Sequence, residues 1–220
     1  GQNNGNAIIN ALNQGDSVNL SMSLPLGLGQ DRDGDLDNGI IIHEYAHGIS
    51  NRMTGGPSNS SCLNGSEQMG EGWSDFYGII MTMDTAINNP IRRPMGTYAI
   101  YESPTTGGGI RPVPYDTSFT VNNYTYGDLP NANISVPHGV GFIWCTMLWD
   151  LTWAFIDQYG YDEELIGGTG GNSMVFKLVT DALTLQPCGP GFVDGRDAIL
   201  QADMLAYNGA NQCLIWEVFA

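Results

Sequence analysis

Apolar positions change rhythm along the chain. Over residues 1–38 they come in short alternations, "NAIINA" and "VNLSMSLPLGLG", set among polar residues, and these read as strands or extended loops. From Asn38 the spacing becomes helical. A first helix is predicted from about Asn38 to Met53, ended by "TGGP". Asp35 and Asp37 stand near its start, where the helix dipole favours negative charge. A second helix opens near Glu67 and runs through "MGEGWSDFYGIIMTMDTA". Residues 88–135 are dense in Pro, Gly and Asn and read as loop. The stretch "HGVGFIWCTMLWDLTWAFIDQYG" is apolar on more than one face, which predicts a long central helix. Two more helices follow, "NSMVFKLVTDALTLQ" and "FVDGRDAILQADMLAYNG". The fold class expected is α+β and mainly α, with an extended or β part over residues 1–38 and a helical part over 39–220.

Composition narrows the function classes. The 220 residues suit one sizeable domain, or one and a fragment, and the ends at Gly1 and Ala220 read as cuts through a larger protein. Seven basic residues against 23 acidic ones give a formal charge of −16. Nucleic acid needs a basic footprint, so no nucleic-acid partner is expected, and anionic membrane surfaces are disfavoured for the same reason. No stretch reads as approaching the apolar length that spans a bilayer, so no membrane insertion is expected. An acidic, lysine-poor chain rich in Asn, Gly and Ser fits a secreted protein, often one that binds calcium. The cysteines, Cys62, Cys145, Cys188 and Cys213, form no CxxC pair, which argues against a cysteine-built zinc site and for disulfides. Cys188 and Cys213 flank one loop-helix unit and are the preferred pair. Cys62 and Cys145 read either as a second bridge or as thiols, Cys145 lying in an apolar helix.

The chemistry concentrates in "HEYAHGIS". Residues four apart share a helix face, so His43 and His47 aim both imidazoles at one point, while Glu44 reaches a water bound there. A catalytic zinc takes a third protein ligand and keeps an open position. The extended motif HExxHxxGxxH is excluded, because Ser50 and Met53 hold its glycine and histidine positions. "GEGWSD" offers the other solution, with Glu71 as ligand and Asp75, one turn on, holding the ring N–H of a ligand histidine. A solvated acidic face is the bland reading, but the apolar neighbourhood "GWSDFYGII" would bury such carboxylates without partners. His138, the remaining histidine, opens the long apolar helix and is the candidate donor to the oxyanion formed during peptide hydrolysis.

These segments, "HEYAHGISNRMTGG", "CLNGSEQMGEGWSDF", "PHGVGFIW", "PCGPGFVDGRDAILQAD" and "CLIWEVFA", resemble the fungalysin family of secreted zinc metalloendopeptidases, whose catalytic lobe is thermolysin-like. The resemblance touches residues 33–220. It implies one zinc ion bound by His43, His47 and Glu71, Glu44 as general base, His138 as oxyanion donor, polypeptide substrates and an inhibitory propeptide as partner. It also implies two substrate contacts. Arg111 in "GIRPVPYDT" would grip the carbonyl beyond the scissile bond, with a structural salt bridge as the bland alternative. Asn6 and Ala7 in "NNGNAIINA" would belong to an edge strand along extended substrate, or else to an ordinary polar loop. The chain departs from the pattern, and most of the β-rich N-terminal lobe expected of the family is missing from it. "NANISVPH" carries no acid to orient His138, Asn133 being the substitute on offer, and no tyrosine falls between His47 and Glu71. The chain is thus expected to be the helical lobe of a thermolysin-like zincin with the last strands of its neighbour.

"DRDGDLDNG" matches the start of an EF-hand loop, but Ile42 stands where the closing glutamate belongs. That leaves a non-EF calcium site using some of Asp31, Asp33, Asp35 and Asp37, against an acidic turn that caps the helix. The function expected is zinc endopeptidase. Its rivals are a zinc aminopeptidase and a non-catalytic secreted binding module stabilised by calcium and zinc.

Overall fold

In a computed structural model, which describes residues 9–15, 32–85, 90–129, 131 and 133–220, helices dominate. The chain divides into two compact units, residues 1–31 and 32–220. Of the first unit, residues 9–13 are helical, with Gln14 N–H donating to Asn10 O at 3.1 Å. The alternating pattern had predicted extended chain there. Ile9, Ala11 and Leu12 fit a helical turn equally well, and Ala and Leu are strong helix formers. Asn6, Ala7 and Asp31 lie outside the described residues.

The second unit carries α1 (Asn38–Met53), α2 (Gly70–Met81), α3 (His138–Tyr159), α4 (Gly171–Leu185), α5 (Phe192–Tyr207) and α6 (Gln212–Val218). Among the described residues, β structure is confined to an antiparallel bridge between Arg93 and Tyr115. The unit is mainly α, as predicted. α1 packs on α2, α2 on α3, and α3 also on α4 and α6. α3 is therefore the central helix, with Phe142, Ile143, Trp144, Leu148, Trp149, Leu151 and Phe155 almost or wholly buried. By length and composition α3 is apolar enough to cross a membrane, contrary to the expectation that no stretch approaches this. Its apolar window is 78% buried by the rest of the chain, which is how a core helix comes to be apolar all round.

Asp37 starts α1. Its Oδ1 accepts from Gly39 N (3.0 Å) and Ile40 N (3.3 Å), and its Oδ2 from Tyr98 N (3.0 Å) and Ala99 N (3.3 Å). One carboxylate thus caps the helix, for about 1 kcal/mol, and ties it to the following loop. α2 begins three residues later than predicted because Glu67 is recruited elsewhere. Its carboxylate accepts from Phe192 N (2.7 Å) at the start of α5 and from the Tyr126 hydroxyl (3.1 Å).

The disulfide joins Cys62 to Cys188, not Cys188 to Cys213. The loop before α5 lies against the α1–α2 loop, where Gly189 N–H donates to Cys62 O at 2.7 Å. Cys213 is an exposed thiol on α6, and Cys145 a buried one on α3.

Candidate metal centre and cleft

Three helices meet at one small cleft. α1 brings His43 and His47 on one face, their rings perpendicular and 4.7 Å apart. α2 brings Glu71 from its first turn, and α3 brings His138 from its first residue. What lets α2 and α3 approach this closely is a glycine on each. A Cβ on Gly141 would stand 2.5 Å from Glu71 Cβ and 2.6 Å from Gly72 N, and one on Gly72 would stand 2.2 Å from Gly141 O. Neither helix could carry even an alanine at the crossing without moving.

The ligand atoms of His43, His47 and Glu71 lie within 4.8 Å of one another, the group of donors that could hold a metal ion among the described residues. His43 Nε2 is 3.3 Å from Glu71 Oε2, and His47 Nε2 is 3.6 Å from Glu71 Oε1. Two ligands each ~2.1 Å from a tetrahedral zinc stand ~3.4 Å apart, which both histidine–glutamate spacings match, and the donor types suit zinc. Asp75, fully buried, accepts from His43 Nδ1–H at 2.6 Å, which leaves Nε2 with its lone pair for a metal. Burial alone would depress the His43 pKa, but the hydrogen bonds to Asp75 and Glu71 outweigh it and hold the ring up at about 9. Burial, then the neighbouring His43, depresses His47. Burial would raise both carboxylates, yet the His43 hydrogen bond and nearby positive charge hold Glu71 and Asp75 low.

The cleft, about 310 Å³, is lined by Ile40, His43, Glu44, His47, Glu71, Ile110, Arg111 and His138. Glu44 is exposed and makes no hydrogen bond or ion pair with the described residues. His138 is 60% exposed, with Nε2 3.6 Å from Glu71 Oε2. Asn133 is exposed and uses its backbone N–H on Asn131 Oδ1 at 3.0 Å. Arg111 pairs through Nε with Asp75 Oδ2 (2.6 Å), and through Nη2 with Asp75 Oδ1 (2.8 Å) and Glu71 Oε2 (3.3 Å). Both the structural salt bridge and a place in the cleft thus belong to it, with Nη1 unpaired among the described residues. Burial would lower its pKa, but the Asp75 pairing raises it further still.

A sequence model of the fungalysin metallopeptidase (M36) family matches residues 1–220, the whole chain. The chain belongs to the fungalysin family. Among relatives of this fungalysin chain is "Extracellular metalloproteinase 2" of Arthroderma gypseum, 43% identical over 197 residues, which are 86% of this chain and 30% of the relative. "Extracellular metalloproteinase mep" of Aspergillus fumigatus is 44% identical over the same shares. The counterpart in Trichophyton rubrum is 41% identical. The chain spans 30% of the length of these relatives.

Reasoning from sequence brought together His43, Glu44, His47, Glu71, Asp75, Arg111 and His138, and the fold gathers all seven around one point. Among the described residues it does not bring Asp33, Asp35 and Asp37 into a ligand set. Asp33 accepts from Asp35 N at 3.0 Å, and Asp37 is taken up by the four backbone amides named above. One residue of the fungalysin site went unnoticed: Tyr115, whose buried hydroxyl donates to Asp75 Oδ2. Its only signal was a tyrosine four places after Arg111 in "RPVPY", and its partner stands 40 residues away.

Proposed function

We propose that the protein is a secreted, zinc-dependent endopeptidase that hydrolyses internal peptide bonds. The observation that carries this is Glu44 lining the same cleft as the His43, His47 and Glu71 donors. His43, His47 and Glu71 would hold a zinc ion, which would supply Lewis acidity for water activation and carbonyl polarisation. Glu44, lining the same cleft, takes the proton of the attacking water and returns it to the leaving amine. His138, exposed at the head of α3, donates to the oxygen on which charge develops. Arg111, its Nε and Nη2 already committed, offers Nη1 to a substrate carbonyl beyond the cut. Ile40 and Ile110 give the cleft apolar walls, consistent with an apolar side chain after the scissile bond. The names of the relatives support secretion, and an inhibitory propeptide is expected from the family resemblance.

An unfolded protein with a blocked N-terminus separates endopeptidase from aminopeptidase. Internal cuts are expected with the wild type. Glu44→Gln is expected to keep its zinc and to lose turnover by several orders of magnitude. Cleavage undiminished in that variant would refute the role of Glu44, and release of terminal residues alone, from unblocked substrate, would make the enzyme an aminopeptidase.

A further inference from the structure

Asp75 gathers four hydrogen bonds out of reach of water. Its Oδ1 accepts from His43 Nδ1 (2.6 Å) and Arg111 Nη2 (2.8 Å), and its Oδ2 from Arg111 Nε (2.6 Å) and the Tyr115 hydroxyl. Two carboxylate oxygens offer about four acceptor positions, so the group is saturated. His43 and Arg111 both line the cleft, whereas Tyr115 is wholly buried behind it.

Tyr115 is held from three sides. Its backbone pairs both ways with Arg93, at 2.8 and 3.0 Å, and Arg93 Nη2 in turn donates to Thr82 O (2.9 Å) just past α2. Its ring rests on Phe142 of α3, centroids 5.1 Å apart, one turn along from His138. A phenylalanine would fill that space as well. The hydroxyl therefore serves something other than packing, and a buried hydroxyl persists only where it is satisfied.

What it serves is the angle of the Asp75 carboxylate. His43 can offer Nε2 to a metal only while its proton stays on Nδ1 and its ring keeps one orientation, and Asp75 sets both. That carboxylate can turn unless both oxygens are held. Arg111 holds it in part, but Arg111 Nη2 is shared with Glu71 and the side chain lines the cleft. Tyr115 donates from behind the cleft and does not line it.

We propose that Tyr115 is a positioning residue for the zinc ligand His43, acting through Asp75. The inference rests on the metal-centre reading above. The test is Tyr115→Phe, which keeps the ring on Phe142 and removes the hydroxyl alone. Zinc affinity is measured by competition with a chelator, and the visible absorption of the cobalt(II)-loaded protein reports the ligand field. Losing a partner behind a ligand costs ~10–100-fold in metal affinity, and one bond further out the lower end, about tenfold, is expected. The cobalt spectrum should change with it. Ile199→Ala, a core truncation in α5, serves as the control for lost stability and should bind zinc as the wild type does. Zinc affinity within twofold of wild type in Tyr115→Phe would overturn the proposal. So would an equal loss in Ile199→Ala, since affinity would then follow stability alone. A wild type that takes up no metal sinks the metal-centre reading along with this one, whereas tight binding by wild type and phenylalanine variant alike sinks this one only.

Discussion

Glu71 serves three histidines and an arginine at once. Its Oε2 lies 3.3 Å from His43 Nε2, 3.3 Å from Arg111 Nη2 and 3.6 Å from His138 Nε2, and its Oε1 lies 3.6 Å from His47 Nε2. Glu71→Gln keeps the shape and discards the charge that balances this cluster. Zinc affinity should fall by more than the ~10–100-fold that an outer partner costs, read by chelator competition, and unchanged binding would remove Glu71 from the ligand set. Asp150 presents the opposite case, a carboxyl with no hydrogen bond or ion pair among the described residues. It lines a cavity of about 560 Å³ with Tyr124, Tyr126 and Phe192. Burial, then the charge of Asp116, pushes its pKa up from 3.8 to about 7. Between those values the native chain holds a proton that the unfolded chain has released. The stability this group contributes is therefore complete below about pH 4 and lost as pH rises through 7. Asp150→Asn removes the slope. Allowing for solvent in the cavity, the variant should gain ~1–3 kcal/mol on the wild type between pH 4 and pH 8, by urea denaturation in chelator. Parallel curves would place Asp150 in water.

At the scale of elements, the site depends on how near α2 and α3 come. Gly141 stands one turn after His138 and meets Gly72, next to Glu71, so one crossing sets the distance between the proposed zinc ligand Glu71 and the proposed oxyanion donor His138. Gly141→Ala should force the helices apart at a cost of ~1–3 kcal/mol, seen in thermal unfolding, and should weaken zinc binding because Glu71 moves with α2. An alanine variant with wild-type stability and zinc affinity would show that the crossing tolerates a methyl group. The helices themselves were legible: α1 and α3 begin and end where caps and apolar period put them. The first residues of α2 were not, because Glu67 is drawn to the start of α5, 125 residues away, and no local pattern records that. Residues 9–13 mislead for a related reason: so short an apolar run satisfies a period of two and a helical turn alike. Tyr115 is the sharpest case, since a tyrosine in a proline-flanked loop reads the same whether or not a buried carboxylate waits for its hydroxyl.

Across the whole molecule, cysteine pairing is the property least written into local sequence. Four cysteines admit three complete pairings and several partial ones, and what selects Cys62 with Cys188 is the docking of two loops whose cysteines stand 126 residues apart. The same docking is made without sulfur by Gly189 N–H on Cys62 O and by Phe192 N–H on Glu67. The bridge should therefore act mainly on the unfolded chain, whose freedom it restricts, while the folded arrangement persists without it. A loop of this length is worth ~4–5 kcal/mol in the chain-entropy account, of which ~2–4 is commonly realised. The double variant Cys62→Ser with Cys188→Ser should lose that much in urea denaturation yet bind zinc within about twofold of wild type. Serine at both positions also keeps the exposed Cys213 from exchanging with a broken bridge. Glu71 decides between the two accounts, because α2 leaves the same loop that Cys62 pins. If stability and zinc affinity fall together, the bridge holds the ligand helix in place in the folded protein, and the entropic explanation is wrong.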